Sequence, residues 1–168
     1  AHIIYYILFI IIYRLAEGFV MKVVPLFLHD PVSQGGLGLS NEQIGTYYGT
    51  FGAAAFVVGS ILGGNVIARF GLKRVLFVLA LIFNLPFLVY TFLAIYQPSS
   101  LWLIGGGIVL EYFGYGFGFV GLTMFMMHQI APGKNQMSHY AIASGIMNLS
   151  VMVTGMSSGK LTTLLGYE

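Results

Sequence analysis

A chain of 168 residues with 58% hydrophobic and only 7% charged side chains lacks the composition of a water-soluble domain, because soluble domains carry about 25% charge to keep their surfaces wet. Seven basic and five acidic side chains cannot clothe a globule of this size, and a mean hydropathy of +0.89 identifies an integral membrane protein. The net charge of +2 is too small and too scattered for nucleic acid. The absence of cysteine excludes disulfides, thiolate metal sites and cysteine nucleophiles, and no cofactor is expected. With no initiator Met and no charged n-region before a cleavage site, the start resembles a cut end rather than a signal peptide.

A spanning helix needs roughly 20 mostly apolar residues, and five stretches qualify: 3–28, 44–68, 75–96, 102–130 and 140–165. The first ends at His29-Asp30-Pro31. The second follows the cap-like Ser40-Asn41-Glu42. The third contains Asn84-Leu85-Pro86, which predicts a kink. The fourth follows Gln97-Pro98-Ser99-Ser100, and the fifth follows Pro132-Gly133-Lys134-Asn135. A β-barrel would show alternating segments of about ten residues, so the predicted class is all-α and polytopic.

Arg69, Lys73 and Arg74 lie between the second and third stretches, and Lys134 between the fourth and fifth. The other loops hold Asp30, Glu42 and Glu168, with no Lys or Arg. The positive-inside rule then places the N-terminus in the cytoplasm, with Lys160 snorkelling at the opposite side.

Glycine supplies a second pattern. Gly45, Gly49, Gly52, Gly59 and Gly63 share one face of a regular second helix. Gly107, Gly114, Gly118 and Gly121 mark the fourth, and Gly155 and Gly159 the fifth. Small residues at such spacings let backbones approach where no hydrophobic effect drives association.

Charges inside spans cost at least ~3 kcal/mol each and are functional candidates by default. The first helix carries Arg14, Glu17 and Lys22 on one side, bordered by Tyr6 and Tyr13. The fourth carries Glu111, with Gly107, Gly114, Tyr115 and Gly118 on its face, an arrangement that suggests room at a cavity wall. Glu111 has no opposite charge on its own helix, so Arg14 or Lys22 is its expected partner. The alternative is that Arg14 and Glu17, three residues apart, neutralise each other. A milder stripe on the fifth helix, Ser144, Asn148, Ser158 and Thr162, suits packing. Burial favours a neutral carboxyl group and a nearby cation favours the ionised one. Glu111, then Glu17, are therefore the candidates to carry a coupling proton.

Several motif matches fail on context. Gly116-Phe117-Gly118-Phe119-Val120-Gly121 fits G-x-G-x-x-G, but no strand precedes it. Gly155-Met156-Ser157-Ser158-Gly159 fits G-x-S-x-G without a strand-to-helix elbow. An intramembrane serine protease would need a histidine beside Ser157, whereas His128 and His139 flank the opposite end. Asn148-Leu149-Ser150 lies within a span, out of reach of glycosylation.

The segment Gly64-Asn65-Val66-Ile67-Ala68-Arg69-Phe70-Gly71-Leu72-Lys73-Arg74 resembles the signature cytoplasmic loop of the major facilitator superfamily, G-x-x-x-D-R-x-G-x-[RK]-[RK]. Gly64 is expected to admit a neighbouring helix, Gly71 to supply a tight turn, and Arg69, Lys73 and Arg74 to bond the carbonyl end of an adjacent helix. Ala68 stands where the family places an acid, so an Asp-centred gate is not expected. A first half of such a transporter should show an arginine in its fourth helix and G-x-x-x-G-P in its fifth. Neither is present. The resemblance therefore implies the C-terminal half, helices seven to eleven of twelve, with the first half and the last helix as missing partners. In that family the first and fourth helices of each half line the cavity, and these are the helices that hold Arg14, Glu17, Lys22 and Glu111.

A closer resemblance is to the anhydromuropeptide permease and acetyl-CoA transporter branch. It rests on Tyr13-Arg14-Leu15-Ala16-Glu17 with Pro25-Leu26-Phe27-Leu28, on Gly38-Leu39-Ser40-Asn41-Glu42-Gln43-Ile44-Gly45, on His139-Tyr140-Ala141, and on the run from Gly159 to Gly166-Tyr167. The resemblance implies a bacterial inner-membrane secondary transporter, proton-coupled, for a small solute such as a muropeptide or sugar. A non-transporting membrane scaffold or receptor of the same fold is the alternative.

Overall fold

The computed structural model describes residues 3–130 and 135–165, with the backbone alone described at residues 3, 16, 160–163 and 165. Five long helices result: α1 (Ile3–His29), α2 (Asn41–Phe70), α3 (Leu72–Tyr96), α4 (Leu101–Ile130) and α5 (Gln136–Leu165). Among the described residues there is no strand. Helices α2 to α5 are long and apolar enough to cross a membrane. Helix α1 has 27 residues, roughly 40 Å at 1.5 Å per residue.

The helix ends follow from local chemistry. Pro31 disfavours a helical residue before it, and α1 stops at His29. The chain then folds back: the Leu37 and Leu39 N–H groups donate to the Phe27 and Leu28 carbonyls at 2.9 and 2.8 Å, occupying two acceptors that a helix end leaves free. Ser40 caps α2 in a reciprocal box with Gln43, so the helix starts at Asn41, three residues before the expected start at Ile44. Gly71, at φ 79°, ends it and donates to the Ile67 carbonyl at 2.8 Å. The kink expected in α3 is a 3-10 turn, Leu85–Phe87, around Pro86, and Asn84 Nδ2 donates to the Ala80 carbonyl at 2.9 Å.

The main contacts join helices that are not neighbours in sequence. Helix α4 runs parallel to α2, with Gly52 against Tyr112, Gly59 against Phe113 and Gly63 against Phe117. It runs antiparallel to α3, with Gly107 by Val89, Gly114 by Pro86, Gly118 by Phe83 and Gly121 by Leu79. Helix α1 runs parallel to α5, with Gly18 by Thr154 and Gly155 by Lys22. One core joins Ile10 and Tyr13 of α1 to Phe83 and Phe87 of α3, Leu122 and Phe125 of α4, and Met147 of α5. A second joins Val24, Phe27 and Leu28 to Tyr90, Leu93, Ile104 and Ile108.

The glycine expectation holds for half of α2 and fails for the other. Gly52, Gly59 and Gly63 are buried on α4, but Gly45 and Gly49 are exposed, with open space where a side chain would start. The cause is a π-helical stretch, Gly45–Phe51. Its i→i+5 hydrogen bonds widen the turn and rotate everything before Gly52 off the stripe. Helix α4 also bears a second small-residue face: Gly105 packs on Tyr47 and Gly116 on the Phe56 carbonyl. Gly159 is exposed beside open space. Lys134, Gly166, Tyr167 and Glu168 lie outside the described residues, as do the side chains of Lys160 and Thr162.

Candidate functional site

Arg14 and Glu17 stand one turn apart on α1 and are both buried, at 6% and 1% exposure. The guanidinium donates to both Glu17 oxygens, from Nε to Oε2 and from an Nη to Oε1. The Phe119 ring lies 5.4 Å from the guanidinium carbon, within cation–π range. Tyr115 of α4 adds a hydroxyl that donates to Glu17 Oε1 at 3.0 Å. The mutual neutralisation of Arg14 and Glu17, raised above as the alternative, is the arrangement observed.

Glu111 therefore has a different partner from the one expected. Arg14 is committed to Glu17, and Lys22 is exposed with its stem across Gly155. The partner is Tyr90 of α3, whose hydroxyl donates to Glu111 Oε2 at 3.0 Å. Sequence reasoning missed Tyr90 because a lone tyrosine in an apolar run carries no distinguishing pattern. The 3-10 turn at Pro86 precedes it by one helical turn and sets its direction. Nor do the glycines around Glu111 leave room: α3 fills the space beside Gly107, Gly114 and Gly118. What remains is a narrow void of about 30 Å³, lined by Glu17, Glu111, Tyr48, Tyr90, Tyr112 and Tyr115, with Val20, Met21 and Phe87 also on its wall. A space of that size holds one or two waters, and it has the several polar partners a buried water needs.

Glu111 and Tyr115, four residues apart, share one face of α4, so the two carboxylates line the same void from different helices. Tyr13 ties α1 to α4, its hydroxyl donating to the Gly118 carbonyl at 2.8 Å. Asn84 Nδ2 also reaches the Tyr13 carbonyl at 3.4 Å. Rings stack around this seam, with Phe56 and Phe83 at 5.2 and 5.3 Å from Tyr115, and Tyr48 at 4.9 Å from Tyr112. Two carboxylates, one guanidinium and four tyrosine hydroxyls inside a helical bundle can hold and pass protons. Among the described residues no group of three or more His, Asp or Glu is placed to hold a metal ion.

The loop residues stand apart from this site. Gly71 makes the expected turn, but Gly64 admits no neighbour: nothing lies within 4 Å of where its side chain would begin, and Gly63 meets α4 instead. Arg69, Lys73 and Arg74 are exposed and, among the described residues, bond no helix end. Ser157 lies in unbroken α5, exposed, its hydroxyl donating to the Val153 carbonyl at 3.1 Å. No strand-to-helix elbow presents it.

A multi-pass bundle with buried ionisable groups between its helices is an architecture that membrane transporters use. The match of residues 6–168 to the Major Facilitator Superfamily model makes the assignment specific, and the chain belongs to that family. It is similar to the anhydromuropeptide permease of Escherichia coli K12, 27% identical over 165 residues, covering 96% of this chain and 32% of that protein. It is also similar to the putative transporter AmpG 1 of Rickettsia felis, 23% identical, covering 99% of this chain and 36% of the relative. An uncharacterised protein of Haemophilus influenzae is 23% identical, with coverage of 96% and 38%. The chain thus spans about a third of the length of the curated relatives it matches. No solved structure matches.

Proposed function

We propose that this chain is part of a secondary transporter that moves a small solute across the bacterial inner membrane by alternating access, coupled to protons. Five helices of a C-terminal half-bundle would rock against the remainder of the protein around a midplane site. The observation that carries the reading is the void between α1, α3 and α4, onto which Glu17 and Glu111 both face. Glu111 is the proton carrier in this scheme, because Arg14 engages Glu17 directly while Glu111 meets only a neutral hydroxyl. The solute is a muropeptide or a related sugar derivative, a reading supported by the name of the Escherichia coli relative.

The test is uptake of an anhydromuropeptide by the full-length protein in proteoliposomes. Glu111→Gln is expected to abolish uptake driven by a pH gradient while substrate exchange persists. Unchanged pH-driven uptake removes Glu111 from the role, and absence of any solute flux in the unaltered protein favours a scaffold. Orientation belongs to the same proposal: Arg69 and Lys134 face the cytoplasm and Asp30 the other side. An impermeant thiol reagent added to intact cells should label an Asp30→Cys variant and spare Lys134→Cys, and the reverse pattern inverts the topology.

A further inference from the structure

At the end of the bundle where α1 begins, α3 begins and α4 finishes, a cleft of about 580 Å³ opens between the three helices. Its wall is apolar, formed by Leu72, Leu76, Phe125 and the Tyr6 ring, and its rim carries Lys73 and His128. Both rim residues are exposed, and neither has a hydrogen-bonded or ionic partner among the described residues. Arg69 and Arg74 lie in the same turn. The acids among the described residues sit elsewhere: Glu17 and Glu111 are buried at the central void, and Asp30 and Glu42 lie at the opposite end.

Three features of this cleft select the same ligand. The local charge is positive, with no acid among the described residues to offset it. The first turn of α3, a 25-residue helix, adds unpaired N–H groups and the positive end of its dipole. The depth is that of a headgroup layer, since Lys73 stands at the first turn of a spanning helix while Leu76 and Phe125 lie a turn inward. An anionic headgroup on a hydrocarbon tail satisfies all three. We propose that the cleft binds an anionic phospholipid, with its phosphate on Lys73 and His128 and an acyl chain along Leu72, Leu76 and Phe125. Basic pockets between spanning helices suit such headgroups. The proposal is independent of whether the protein carries a solute.

The experiment uses the full-length protein in detergent, titrated with phosphatidylglycerol and followed by native mass spectrometry, with phosphatidylcholine of the same chains and soluble glycerol phosphate as comparisons. Phosphatidylglycerol is expected to bind in preference to phosphatidylcholine, and Lys73→Gln to weaken it about fivefold. Arg69→Gln removes the same charge from the same turn but outside the cleft, and it should leave binding within about twofold. Equal loss in the two variants would mean diffuse attraction and would overturn the site. So would equal binding of the two lipids, which is also the result if another part of the full-length chain fills the cleft. Displacement of the lipid by glycerol phosphate would reassign the rim to a free anion and overturn the acyl part. Both substitutions are at exposed side chains, and unchanged melting without added lipid confirms that folding is not the cause.

Discussion

The contact between α2 and α4 and the seam between α1, α3 and α4 solve the same problem by opposite means. In the first, backbones meet: Gly59 and Gly63 press on the Phe113 and Phe117 carbonyls, and Gly116 on that of Phe56. Ser60 adds a hydrogen bond to the Gly116 carbonyl at 3.2 Å. In the second, α3 and α4 also touch by backbone, at Gly114 on the Ile82 carbonyl and Gly118 on the Leu79 carbonyl, but α1 meets them through side chains, with aromatic rings and the Tyr13 and Tyr115 hydroxyls. A backbone contact has one fit, because sliding it drives carbonyls into carbonyls. A side-chain seam can change rotamers and exchange hydrogen bonds at modest cost. Helices α2, α3 and α4 are therefore expected to move as one body, with rearrangement concentrated where α1 meets them.

The contrast can be broken from either side. The largest effect is expected at the seam's ion pair. Arg14→Leu leaves the Glu17 carboxylate buried with only the Tyr115 hydroxyl, and loss of one partner of a buried pair costs about 3–5 kcal/mol. The double variant Arg14→Leu/Glu17→Leu should recover most of that, and thermal unfolding of the full-length protein in detergent reads the difference. A double variant no more stable than the single would show that the pair is not the source of the cost.

A smaller loss is expected on the tight face. Gly59→Leu forces a side chain into the Phe113 carbonyl, and such overpacking costs about 1–3 kcal/mol. Gly64→Ala, five residues on and facing open space, should cost nothing, since alanine favours a helix by about 0.5–1 kcal/mol over glycine. Comparable losses at Gly59 and Gly64 would mean that the α2–α4 contact is not the selective one described.

The helices, the Ser40 cap, the Pro86 break and the Gly71 turn were legible because each depends on neighbours in sequence. The site was legible in its members but not in its pairing. Arg14, Glu17 and Glu111 stood out as charges in apolar runs, yet which acid met the guanidinium depended on how α4 rolled against α1. The roll is set by glycine contacts with α2 and α3, which a single helical wheel does not contain. Gly105 and Gly116, eleven residues apart and thus on one face, were a readable signal for the α2 contact. The displacement of Gly45 and Gly49 was not, since nothing in that sequence announces a wider turn.

The pairing of α1 with α5 bears on how the protein is made. Roughly a hundred residues separate the end of α1 from the start of α5, so at ribosomal speed α1 waits on the order of ten seconds for its main neighbour. During that interval a buried guanidinium and carboxylate would face lipid without the Tyr115 hydroxyl or the Phe119 ring, both on the late-arriving α4. Placing the two ions one turn apart on the same helix gives α1 its own counter-ion from the moment of insertion. Glu111 needs no such provision, because Tyr90 on α3 is already in the bilayer when α4 emerges.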